Sequence, residues 1–115
     1  MPAQNQSVHS AQREHICFVE SALEILGSKW TILLIHEMMN GPKRFTELRK
    51  AIPEASAKIL TLRLRELEDA HILTRRCFAE TPPHVEYTLT ESGLALKNVI
   101  EQLRYWGEEF SHTHS

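Results

Sequence analysis

Lys58, Thr61, Leu62 and Arg65 recur at three- and four-residue spacing within SAKILTLRLRELEDA, residues 56–70. That spacing gathers side chains on one side of a helix. A lysine or arginine so placed can bridge guanine O6 and N7, and a leucine can meet a thymine methyl. The chemistry offered is recognition of base edges in a DNA groove. Leu60, Leu64 and Leu67 form the contrasting apolar side, at i, i+4 and i+7. Leu62 is informative because it lies off that side, where a merely solvated helix would carry a polar residue. Ser56, Lys43, Arg44 and Arg76 are types that meet phosphates, contacts that position without specifying.

Charge distribution supports this reading more than the total does. The formal net charge is -2, yet residues 43–65 hold seven basic side chains against Glu47 and Glu54. A basic middle therefore sits in an acidic body, the footprint expected of a nucleic-acid binder. No Ser/His/Asp set, glycine-rich phosphate loop or pair of catalytic carboxylates is evident, so an enzyme is not expected. The two cysteines, Cys17 and Cys77, have no CxxC or CxxH partner, and the seven histidines are scattered. Neither a metal site nor a cofactor is expected.

Positioning such a helix takes a scaffold, and the chain supplies one in order. Residues 1–14 lack periodicity and an apolar core, and are read as a flexible arm rather than a secretory signal. Residues 15–115 are read as one domain. Val19, Ala22, Leu23 and Leu26 mark a first helix that Gly27 ends. Ser28 then caps a second, running to about Asn40, with Trp30, Leu33, Leu34 and Met38 inward and Trp30 as a core anchor. Gly41-Pro42 stops it. Phe45, Leu48 and Ile52 mark a third short helix, ended by Pro53. After three linking residues comes the helix opened by Ser56, a helix-turn-helix arrangement. Its second helix is the one that enters a major groove.

The period then changes. ILTRRCF (72–78) is β-rich and VEYTL (85–89) alternates, while the prolines of AETPPH (79–84) suit a hairpin tip. The pair reads as a wing, with Arg75, Arg76 and His84 as its positive charge and Cys77 packed beside Leu73. Glu86 is expected to pair with Arg75 or Arg76, and Arg63 with a carboxylate. Thr90 caps one last helix with Glu91 in its first turn, its end fraying around His112 and His114. Leu96, Val99, Ile100, Leu103, Trp106 and Phe110 form a stripe along it, more apolar surface than a small domain needs. A dimer interface, paired with the partner's first helix, accounts for it. The fold class is thus mainly α with a small β-hairpin: a winged helix-turn-helix of about five helices and a two- or three-stranded antiparallel wing sheet.

Four segments in this order resemble an HxlR-type, MarR-like winged helix-turn-helix regulator of bacteria. They are ALEILGSKW (22–30), GPKRFTELR (41–49), LTLRLRELE (60–68) and PPHVEYTLT (82–90), with WGEE (106–109) in the tail. The resemblance implies a homodimer on an inverted repeat of double-stranded promoter DNA, acting as a repressor or an activator, and the lack of a secretory signal or membrane span places it in the cytoplasm. It also matches Cys17 to the family's N-terminal cysteine, which in some members senses oxidants or electrophiles. A place near the start of a helix favours a thiolate, and a buried apolar thiol is the plainer alternative. Phe18 stands where the family often has proline, Ser28 replaces a second glycine and His84 a common wing arginine. The competing function is a winged-helix protein-interaction module without specific DNA binding. No membrane association is expected, since no apolar run reaches 18 residues.

Overall fold

The computed structural model of the protein describes residues 15–114; the expected N-terminal arm lies outside them. Helix α1 covers residues 15–26. It is followed by α2 (Lys29–Met38), a two-residue strand β1 (Lys43–Arg44), α3 (Phe45–Ala51) and α4 (Ala57–Asp69). Strands β2 (Leu73–Phe78) and β3 (His84–Leu89) form the wing, and α5 (Glu91–Leu94) and α6 (Lys97–His114) complete the chain. The three strands make one antiparallel sheet in the order β1-β3-β2.

Local chemistry sets most boundaries. The Ser56 hydroxyl accepts from the Ile59 N–H at 3.1 Å and so starts α4. Ser28 stands at the N-cap of α2, but its side chain makes no cap bond. Its carbonyl alone receives Thr31 and Ile32 N–H, at 3.1 and 3.4 Å. Gly27 is required by close approach, because a Cβ there would lie 2.5 Å from the Leu23 carbonyl oxygen.

Leu34, Ile35 and Met38 of α2 meet Leu48 and Ile52 of the α3 region and Leu60, Leu64 and Leu67 of α4. Leu73, Tyr87 and Leu89 close this core from the sheet. Full burial of each such side chain contributes roughly 1.5–3 kcal/mol. Leu33 departs from expectation: it is 41% exposed, and Thr31 and Ile35 take the inward positions. Leu33 instead lines a groove between α2 and α6. Trp30 is half-buried at the core's edge, with Lys29 Nζ 4.3 Å above its ring.

The single last helix expected after Thr90 is two helices. Leu96 N–H turns to the Gly93 carbonyl at 3.1 Å, a tight three-residue bond that ends α5 before α6 begins. Thr90 anchors this junction. Its hydroxyl donates towards the His71 and Ile72 carbonyls (2.7 and 3.0 Å) and accepts from Gly93 N–H at 3.3 Å. A Cβ at Gly93 would collide with the Ile72 carbonyl, so the α5 turn packs directly on the entry to β2. The tail expected to fray around His112 and His114 stays helical to His114.

The described shape is long, with principal extents of 70 × 38 × 23 Å and a radius of gyration of 18.1 Å. A compact chain of this length would have a radius near about 13 Å. Helices α1 and α6 carry much of their apolar surface outward.

Candidate nucleic-acid interface

Residue period explains how α4 divides. Leu60, Leu64 and Leu67 are buried, while Lys58, Thr61, Leu62 and Arg65 are exposed on another side. Leu62 is 45% exposed, an apolar side chain held outward among cations. Arg63 lies at the flank and pairs with Glu66 at 3.1 Å, as its position suggested. The exposed N-terminal part of α4 also presents the positive end of the helix dipole. The Ser56 hydroxyl oxygen is engaged in its cap, which leaves the hydroxyl proton able to donate outward.

The sheet places further cations beside α4. Lys43 pairs with Tyr87 and Arg44 with Glu86 across β1 and β3. The Arg44 N–H donates to Glu47 Oε1 at 2.9 Å, fixing the start of α3 and leaving the exposed guanidinium at the surface. Arg75, Tyr87 and Glu68 line one cleft with Thr61 and Arg65, a space of ≈ 320 Å³. Arg44, Thr46, Pro82, Pro83 and His84 line a second, which also includes Thr61 and Tyr87. Those two shared residues make the clefts one continuous trough between recognition helix and wing. Arg75 is held in its charged form, its pKa raised first by a hydrogen bond with Tyr87, then by Cys77, with a smaller contribution from Glu68.

Neighbouring arginines therefore diverge. Arg75 faces the trough, whereas Arg76 alternates to the other face of β2, its guanidinium 4.7 Å from the Phe78 ring centre. His84 stacks on the same ring at 4.7 Å. Its two ring nitrogens approach Glu80 at 3.4 Å and Glu86 at 3.2 Å, and its side chain is 13% exposed. Glu86 lies opposite Arg76 in register, but its carboxylate contacts His84. The packed Cys77 expected from alternation is instead exposed. On that face of β2 Leu73 is buried, while Arg75 and Cys77 are exposed. Sequence marks Arg75 only as part of the wing's positive charge, and it marks neither Thr46 nor Tyr87. Alternation with Leu73 was the signal available for Arg75.

The remaining candidates lie elsewhere. Cys17 is exposed near the start of α1. Leu96, just before α6, and Ile100 within it are half-buried against the core. Val99, Leu103, Trp106 and Phe110 are exposed, with Trp106 and Phe110 stacked at 5.1 Å. Ile16, Phe18, Val19 and Leu23 give α1 a similar outward apolar surface. Among the described residues, no three His, Cys, Asp or Glu side chains cluster as metal ligands would.

The family model of the HxlR-like helix-turn-helix matches residues 25–115. The chain belongs to that family. It is a transcriptional regulator with a winged helix-turn-helix domain, HxlR-like in both sequence and architecture. Its relatives include the transcriptional regulator YodB of Bacillus subtilis, 47% identical over 92 residues, covering 80% of this chain and 82% of YodB. The reduced form of YodB superposes with a TM-score of 0.71 at 47% identity, covering 79% of this chain and 89% of that one. The redox regulator HypR in its reduced form gives 0.75 at 43% identity, over 79% and 90% of the two chains. YodB with bound quinone gives 0.70, over 79% and 94%. No described helix is long and apolar enough to cross a membrane.

Proposed function

We propose that this HxlR-like chain is a cytoplasmic repressor that binds an inverted-repeat operator as a homodimer. The carrying observation is the trough: Lys58, Thr61, Leu62 and Arg65 stand on one exposed side of α4, continuous with the basic clefts beneath the wing. In this reading Lys58, Thr61, Leu62 and Arg65 face base edges and Ser56, Lys43, Arg44 and Arg76 face phosphates, while His84, held between Glu80 and Glu86, shapes the wing. The outward apolar residues of α1 and α6 support association of two copies. A dimer suits an inverted repeat because each half-site receives one recognition helix, roughly 34 Å apart. The likeness to the redox regulator HypR and to quinone-bound YodB supports a thiol switch at Cys17, with an oxidant or small electrophile as effector.

The test is duplex binding by the full chain, followed by fluorescence anisotropy over a salt series. A duplex selected by the protein from a random library should be an inverted repeat, bound with an affinity that falls steeply with salt. Recovery of no preferred duplex at low salt removes the reading. For the switch, diamide or a quinone should change duplex affinity of the native chain and leave Cys17→Ser unaffected. An equal response in that variant transfers sensing away from Cys17.

A further inference from the structure

The cleft between α4 and the wing joins Thr61 and Arg65 to two groups given no contact in the proposed function, Arg75 and Tyr87. Two guanidiniums, Arg65 and Arg75, and two hydroxyls, Thr61 and Tyr87, line it, opposed by the single carboxylate of Glu68. We propose that this cleft is a seat for one phosphodiester of the duplex backbone, the one strand that separates the groove read by α4 from the groove reached by the wing.

Topology makes the argument first. A major groove and its neighbouring minor groove are divided by a single sugar-phosphate strand. With α4 in the first and the wing tip, Pro82 and Pro83, towards the second, that strand passes along the trough between them. The trough is open, and Thr61 and Tyr87 line both of its halves.

Side-chain chemistry makes the second argument. Arg75 and Tyr87 are directly paired in the β2–β3 register. The Arg75 guanidinium donates to the Tyr87 oxygen, the first of the influences that raise its pKa. A guanidinium has five N–H donors, and one bond to Tyr87 leaves a fork for phosphate oxygens. Tyr87 is itself buried, which fixes its hydroxyl and through it the approach of Arg75. Glu68 of α4 lines the same cleft and adds a smaller favourable charge to the guanidinium. Arg75 is thus the contacting residue; Tyr87 and Glu68 are positioning residues.

This inference rests on the duplex-binding reading, and the experiment separates the two. The probe is the duplex that the wild-type full chain selects in vitro, tested by ethylation interference and by anisotropy over a salt series. Wild type should show interference at a backbone phosphate between the groove read by α4 and the groove under the wing. Arg75→Gln should lose that interference and make the log-affinity against log-salt slope shallower by about 0.9 per half-site. Arg75→Lys keeps the charge and should keep the slope. Tyr87→Phe changes no charge and should weaken binding several-fold while weakening interference at that one phosphate. Circular-dichroism melts establish that each variant folds, and the lysine and phenylalanine variants keep the question decidable if the glutamine variant does not. Wild type that selects no duplex overturns both readings. Wild type that binds, with Arg75→Gln keeping its slope and its interference pattern, overturns the phosphodiester seat alone.

Discussion

Two leucines on one helix, Leu62 and Leu64, should respond in opposite ways to the same truncation. Leu64 is 1% exposed within the core, whereas Leu62 is 45% exposed on the outer side of α4. Leu64→Ala removes packed methyls and leaves a cavity, at a cost of about 2–5 kcal/mol. That is a large part of the roughly 5–15 kcal/mol that holds a domain of this size folded. Leu62→Ala removes a side chain already half in water and should cost under about 1 kcal/mol. Its penalty should fall on recognition. One methyl-sized apolar contact with thymine is worth about 0.8 kcal/mol, roughly fourfold in Kd. The assay is urea denaturation of both variants beside anisotropy on the selected duplex and on a version with the facing thymine replaced by uracil. Wild type should lose affinity on the uracil duplex, and Leu62→Ala should no longer distinguish the two. Equal destabilisation by both variants would show that Leu62 is packed. A stable Leu62→Ala protein that still prefers the methylated duplex would remove Leu62 from the reading face.

Other variants test the remaining joints. Thr90→Val keeps the shape but removes the hydroxyl that ties His71, Ile72 and Gly93 together, and should cost about 1–3 kcal/mol in a denaturant titration. Arg65→Ala should relax sequence preference, while Lys43→Ala should weaken all duplexes alike; a repeat of the in vitro selection separates them, and identical behaviour contradicts the division into base and phosphate contacts. Leu103→Asp, on the exposed side of α6, should convert a dimer to a monomer in light scattering; an unchanged mass places the contact between copies elsewhere.

Much of the fold is legible locally. The α4 boundaries and faces follow from Ser56 and a leucine period that the core uses unchanged. The wing follows from alternation interrupted by paired prolines. What escaped local reading depends on distant partners. Lys43 and Arg44 become a strand only because β3, some forty residues later, offers its edge. Leu33 and Ile35 exchange roles because α6 leaves a groove on one flank of α2, which no period within α2 encodes. Cys77 obeys alternation yet is exposed, since what covers a strand face is a tertiary fact. For the site, residue type marked Arg75, Arg76 and His84 alike. The packing then separates them: Arg75 enters the trough, Arg76 lies over Phe78, and His84 takes up two carboxylates.

Helix α1 has a thermodynamic consequence beyond recognition. Residues 15–25 are all exposed, and Leu26 is the half-buried residue by which the end of α1 packs on the core. An isolated helix shorter than roughly 12–15 residues is marginal in water. Helicity over 15–26 is therefore linked by mass action to whatever covers that surface. If the cover is a second copy, the melting temperature of the chain rises with its own concentration. The environment of Cys17, two residues into that helix, then differs between a dilute and a concentrated solution before any oxidant is added.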